Sequence, residues 1–174
     1  MAWRLNHSRK LEMWCTMLKF DFSEYGRVYI PINIKPLDNI TLSDILFKVD
    51  TGADTTTISK ESLADLGYDS TWIKQNAVVY KDEDKPTTAA GEKINAGYVQ
   101  LPLINILGYE GKNWVFQIIM DEKQDFRNLL GRDLLTGFNY QFDNDDDMFT
   151  ISRTKAFKPR YNLLPMQEIN EISV

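Results

Sequence analysis

The sequence predicts a mainly β domain, closed and barrel-like, with one or two short helices, and three observations predict it. Apolar residues alternate with polar ones in many short runs, the period of half-buried strands. Glycine, proline and small polar clusters punctuate those runs at close intervals. Strands and helices do not alternate in the rhythm that builds a parallel sheet, and no internal repeat is visible. With 174 residues the chain has the length of one domain.

The elements follow in order. Residues 1–17 mix Trp3, Leu11 and Trp14 with Arg, Asn and Ser without a settled period, and read as an N-terminal arm or extension. Leu18, Phe20 and Phe22 alternate with charged residues, a polar turn follows at 23–26, and Val28, Ile30, Ile32 and Ile34 alternate again, so a β-hairpin is expected. Pro31 lacks an N–H and assigns the second strand to a sheet edge. Residues 45–49 are continuously apolar enough to expect burial on both faces. Ser59 caps a helix over 60–66 that stops at Gly67.

Further strands are expected over 77–80, around Val99, Leu101 and Leu103, and over 114–120. A charged turn at 81–85 leads into Pro86 and the small residues 87–91. A brief strand, a glycine break and a short helix fit 128–135, and a last hairpin crosses the acidic turn 143–147. The domain then spans 18–154, with 155–174 a polar, proline-punctuated C-terminal tail. Eight strands and two helices result.

Composition excludes several function classes. Acids outnumber bases 25 to 20 and the bases form no long cluster, so no nucleic-acid partner is expected. The single cysteine, Cys15, forms no intrachain disulfide and suits a reducing compartment, so the expected location is the cytoplasm. No run approaches the ~20 apolar residues of a membrane span, and no secretory apolar run follows Arg4, Arg9 and Lys10. The single histidine, His7, leaves Ser-His-Asp, Cys-His and common zinc chemistry without their imidazoles. No metal or other cofactor is expected. Asp143, Asp145 and Asp147 have the spacing that opens a calcium loop, but Met148 and Thr154 stand where that loop needs glycine and glutamate.

Carboxylate chemistry remains. Residues 47–56 read Phe-Lys-Val-Asp-Thr-Gly-Ala-Asp-Thr-Thr, an apolar run that delivers Asp50 into a Thr-Gly turn. Residues 129–135 read Leu-Leu-Gly-Arg-Asp-Leu-Leu. Two carboxylates a hydrogen bond apart share one proton, because like charges so close cannot both ionise. One is then a base toward water and the other an acid toward a carbonyl oxygen. Asp-Thr-Gly occurs once, so a second carboxylate has to come from a second copy of the chain.

With their order and the β-rich stretch between them, the two motifs make residues 19–151 resemble the retropepsin-like (retroviral-type) aspartic protease family, the single-domain form of the pepsin-class fold. The resemblance implies an aspartic endopeptidase acting on extended protein or peptide substrates, as a homodimer with the active site on its axis. It implies Asp50 as the catalytic acid and base, Thr51 as the residue bonding across the axis and Gly52 as the turn that meets substrate backbone. Ala53, Asp54 and the flap-tip residues Thr88, Ala89, Ala90 and Gly91 would contact substrate. Gly131 and Arg132 would support the site, Arg132 by pairing with Asp54 in the parallel two-bond geometry a guanidinium offers a carboxylate. A reading from a different class is a catalytically weak module of the same fold, kept for dimerisation or peptide binding. The stretches 13–18 and 161–165 are possible self-processing sites.

Overall fold

The computed structural model of the protein describes residues 17–22, 26–88, 90–121 and 127–154. In chain order its elements are β1 (Leu18–Asp21), β2 (Tyr29–Ile34), β3 (Ser43–Val49), α1 (Lys60–Asp65), α2 (Ser70–Asn76), β4 (Val78–Val79), β5 (Ala96–Ile106), β6 (Tyr109–Ile119), β7 (Leu129–Leu130), α3 (Arg132–Leu135), β8 (Phe138–Asp143) and β9 (Met148–Arg153). The domain is therefore mainly β with few helices. His7, Cys15, Trp3, Trp14, residues 23–25, Ala89 and the tail 155–174 lie outside the described residues.

One sheet has the order β1-β9-β8; the other runs β4-β5-β2-β3-β7, with β6 also paired to β5. No ring of strands closes among the described residues. Pairing is antiparallel except for β3 with β7, where Lys48 and Val49 lie beside Leu129 and Leu130. The long β5–β6 hairpin reverses at Leu107 and Gly108, both at positive φ (49° and 82°), the two-residue turn whose twist matches that of its strands. Ile30, Ile32 and Ile34 of β2, Phe47 of β3, and Trp114, Phe116 and Ile118 of β6 meet in the main core. Their alternation along each strand is what buries one face of the sheet.

The helices follow local signals. The Ser59 side chain accepts from the Ser62 N–H, and Gly67 at φ 87° ends the turn after α1. Asp69 caps α2 by accepting from the Trp72 N–H, and the Tyr68 and Trp72 rings pack at 4.6 Å. The sequence reading did not anticipate α2. No helix among the described residues is long and apolar enough to cross a membrane.

Four expectations are corrected. β1 does not form a hairpin with β2; it pairs with β9, where Phe20 lies opposite Phe149. β2 is not an edge strand, since β3 and β5 flank it. Val28 bonds toward β3 and Lys35 toward β5, so two-residue alternation turns the Pro31 nitrogen toward the β5 side. Pairing there covers only Ile32 to Ile34, so no ladder bond is lost at Pro31. Likewise, β3 is not buried on both faces: Phe47 and Val49 point inward, whereas Leu46 is 59% exposed. The tally of eight strands and two helices becomes nine and three among the described residues.

Gly97 allows β4 to lie on β5, for a Cβ there would stand 2.5 Å from the Val78 carbonyl oxygen. Gly97→Ala should force the strands apart and lower stability by about 1–3 kcal/mol, read as a fall in the thermal midpoint. An unchanged midpoint would contradict that packing.

Candidate functional site

Asp50 lies at the end of β3, where the parallel bond to β7 continues for one residue: its N–H donates to the Leu130 carbonyl at 3.0 Å. The turn closes on the carboxylate itself. Gly52 N–H donates to Asp50 Oδ1 at 3.0 Å, and Ala53 N–H to the Asp50 carbonyl at 3.2 Å. Thr51 and Gly52 are exposed, and Asp50 is half-buried. Lys48 Nζ is 3.8 Å from Asp50 Oδ2, with both side chains about a third exposed, a pair that water screens heavily.

Beyond the turn the chain is stitched to the second motif. Arg132 N–H donates to the Ala53 carbonyl at 2.9 Å and Asp133 N–H to the Asp54 carbonyl at 3.1 Å. The Arg132 guanidinium pairs with Asp54 Oδ1, but both side chains are more than half exposed. Exposed pairs of this kind contribute about 0–1 kcal/mol. A stronger tie lies one residue further on.

Asp133 is 2% exposed, and a single oxygen, Oδ1, accepts from Thr56 Oγ1 at 2.6 Å, Thr56 N at 2.9 Å and Leu134 N at 2.8 Å. Thr56, fully buried, in turn accepts from Gly131 N at 3.1 Å. Gly131 has to be glycine for this contact: a Cβ would overlap the Thr55 carbonyl and come 2.8 Å from the Thr56 nitrogen. Asp133 and Thr56 were not among the residues singled out from sequence. The available signal was an acid set between the leucine pairs of Leu-Leu-Gly-Arg-Asp-Leu-Leu.

Residues 56–58 then pass between β6 and β7. Gln117 N donates to the Thr56 carbonyl at 3.0 Å, Ile58 N to the Gln117 carbonyl at 2.9 Å, and Thr57 exchanges both backbone bonds with Leu129 at 2.9 Å. Asn128 adds a junction: its carbonyl accepts from Lys48 N, its side-chain oxygen from Ser59 N, and its amide donates to Leu46 O and Ser62 Oγ.

Over this floor stands the hairpin that sequence placed at 87–91. Thr87 bridges to Lys93, Thr88 N donates to the Glu92 carbonyl at 2.8 Å, and Gly91 turns at φ 84°. Between hairpin and loop is a cavity of about 320 Å³, lined on one side by Gly52, Ala53 and Asp54 and on the other by Pro86, Thr87 and Ile94. Thr88, Ala90 and Gly91 are at the tip and do not line it. Tyr80 does, its hydroxyl pushed up to about 12 by burial, then by Tyr98, Asp133 and Asp84, so it stays a neutral phenol. Among the described residues no cluster of His, Cys, Asp and Glu is arranged to hold a metal ion.

Burial pushes the Asp133 carboxyl above its ordinary 3.8, while the bonds from Thr56 and Leu134 oppose that shift. A raised folded value means the folded state holds the proton more tightly than the unfolded chain. This stability is full below the unfolded value and is lost as pH rises through the folded one. Asp133→Asn keeps an oxygen for the three donors but does not titrate. The thermal midpoint of Asp133→Asn minus that of the wild type should therefore climb as pH rises from about 3.8. A difference that is flat with pH would contradict a buried, titrating Asp133. Asp133→Ala, which strands Thr56, should cost about 3 kcal/mol at low pH and less as pH rises through the raised Asp133 value.

No protein-family model and no curated protein matches the sequence. Solved structures do. A retropepsin-like aspartic protease from Rickettsia conorii is similar at 26% identity over 79% of this chain and 90% of its own, with a TM-score of 0.57. The retroviral protease-like domain of Ddi1 from Leishmania major is 18% identical over 74% of this chain and 90% of its own, with a TM-score of 0.43. On the first likeness, together with the Asp50 turn zipped to the Gly131 motif, the chain has a retropepsin-like fold.

Proposed function

We propose that the protein is an aspartic endopeptidase that hydrolyses peptide bonds in extended protein or peptide substrates. Its active site is formed on the axis of a homodimer by two Asp-Thr-Gly loops. Residues 18–154 are the protease domain, 1–17 an N-terminal extension and 155–174 a C-terminal tail, and one cysteine suits the cytoplasm. The observation that carries the reading is the Asp50 carboxylate on a turn closed by Gly52 and Ala53 and anchored to Leu130, beside a cavity roofed by a hairpin. The likeness to the Rickettsia conorii protease supports it.

In this reading the two Asp50 carboxylates face each other across the axis and hold one proton between them. The ionised one takes a proton from water as the water oxygen adds to the peptide carbonyl carbon. The protonated one gives its proton to the carbonyl oxygen, producing a neutral gem-diol. On collapse a gem-diol hydroxyl gives its proton to the second carboxylate, the first carboxylate gives the proton it took from water to the amide nitrogen, and the C–N bond breaks. Thr51 links the two loops, Gly52 and Ala53 meet substrate backbone, and the hairpin closes over the peptide to exclude water. Asp54 and Arg132 border the cleft as a charged rim.

Asp50→Asn should lower kcat/KM for any cleaved peptide by about a thousandfold or more while leaving the thermal midpoint and sedimentation of the dimer unchanged. Undiminished cleavage by that variant would refute the mechanism. A strict monomer at high concentration would leave one carboxylate per site and remove the enzyme reading. Peptide binding that survives loss of Asp50, without cleavage by the wild type, would instead fit a binding module.

A further inference from the structure

The cavity beneath the hairpin has a polar floor that the chemistry at Asp50 does not use. Along β6, Trp114, Phe116 and Ile118 enter the main core, so alternation puts Gln117 and Ile119 on the opposite face, where both line the cavity. Gln117 is 8% exposed. Its side-chain oxygen accepts from the Thr57 hydroxyl at 3.1 Å, which leaves Nε2 at the other end of the amide. That nitrogen finds no hydrogen-bond partner among the described residues, and neither does the Thr55 hydroxyl on the same wall. Carboxamides buried this deeply are ordinarily satisfied, and an unmet donor costs the full desolvation of the group. A ligand that supplies the partner recovers that cost.

We propose that this cavity is a substrate side-chain subsite selective for a carboxamide, glutamine or asparagine; the proposal rests on the endopeptidase reading above. Gly52, Ala53 and Asp54 of the Asp50 loop form the same cavity, so a peptide laid along that loop directs a side chain into it. An aliphatic side chain leaves Gln117 Nε2 unmet. Lysine and arginine bring donors only, which cannot satisfy another donor. A carboxylate could accept, but it would enter beside Asp84, while the cations nearby are already engaged, Lys85 by Asp82 at 2.6 Å and Arg132 by Asp54. A carboxamide offers its oxygen to Gln117 and its NH2 to the Thr55 hydroxyl or the Asp84 carboxylate, without adding charge. Each polar group on the floor is then met.

The test is subsite profiling of the full chain with synthetic peptide mixtures randomised at each position around the scissile bond, products being identified by mass spectrometry. One position should be enriched in glutamine and asparagine, with kcat/KM about tenfold or more above the matched leucine peptide. Gln117→Met keeps the length of the side chain without the amide, and Gln117→Glu keeps the acceptor for Thr57 without the donor. Each variant, checked for folding by near-ultraviolet circular dichroism, should lose that preference. A wild-type profile with cleavage but no carboxamide enrichment overturns the subsite, as does enrichment that persists in a folded variant. If neither variant folds, the wild-type profile decides alone. Absence of any cleavage by the wild type removes the endopeptidase reading itself, a failure recognisable without the variants.

Discussion

The single oxygen of Asp133 that accepts two donors from Thr56 and one from Leu134 is the contact on which the rest of the site depends. Asp133 is the only buried carboxylate among the described residues that ties the chain after Asp50 to the second motif, because the Asp54 and Arg132 side chains meet in solvent. Three donors on one carboxylate oxygen offset part of the desolvation of a buried acid, which is why the group is tolerated in an otherwise apolar interior. Gly131 is the geometric condition for this arrangement. Only a residue without Cβ lets the backbone of residues 55 and 56 approach closely enough for Thr56 to reach both Gly131 and Asp133.

Rigidity is distributed unevenly around the cavity as a result. The floor is built from strands with long-range partners: β3 on β7, Thr57 on Leu129, and residues 56 and 58 on Gln117. The roof is held mainly by bonds within its own turn, from Thr88, Ala90, Gly91 and Glu92, and by the single bridge of Thr87 to Lys93. Segments secured by local, solvent-exposed bonds open at low free energy, whereas those tied to a core open only with global unfolding. On the proposed endopeptidase reading, a cleft that admits a peptide and then encloses it needs this division, a fixed carboxylate below and a cover that opens above.

How much of this was legible in the sequence follows from range. The Asp50 turn, the Gly131 break, the Ser59 cap and the β8–β9 hairpin depend on neighbours within a few residues, and each was readable from turn chemistry and alternation. The partner of β1 was not, because Leu18 and Phe20 alternate equally well against β2 or against the distant β9. Pro31 signals that an N–H is missing, but not that the adjoining strand ends one residue short of needing it. Helix α2 has a good cap at Asp69 yet only one buried residue, Ile73, so no apolar period announced it. Asp133, despite its place among leucines, and Gln117 did not stand out as functional candidates for a common reason: sequence gives polarity, and it is tertiary packing that decides which polar groups are buried and which remain unpaired.

The three consecutive threonines after Asp54 bring these levels together. In an extended segment successive side chains point to opposite sides. Thr56 therefore turns inward to Asp133 and Gly131, while Thr55 and Thr57 turn to the cavity, Thr57 orienting the Gln117 amide and Thr55 leaving its hydroxyl unmet. One short stretch thus holds the Asp50 loop in place with its central residue and shapes the cavity wall with the flanking two. Any shift of this stretch along β6 by a single residue would exchange the two roles, burying Thr55 and Thr57 where Asp133 offers one acceptor oxygen and turning Thr56 out of reach. The register is fixed by the four backbone bonds to Gln117 and Leu129, so anchorage of the loop and polarity of the cavity are set by the same contacts.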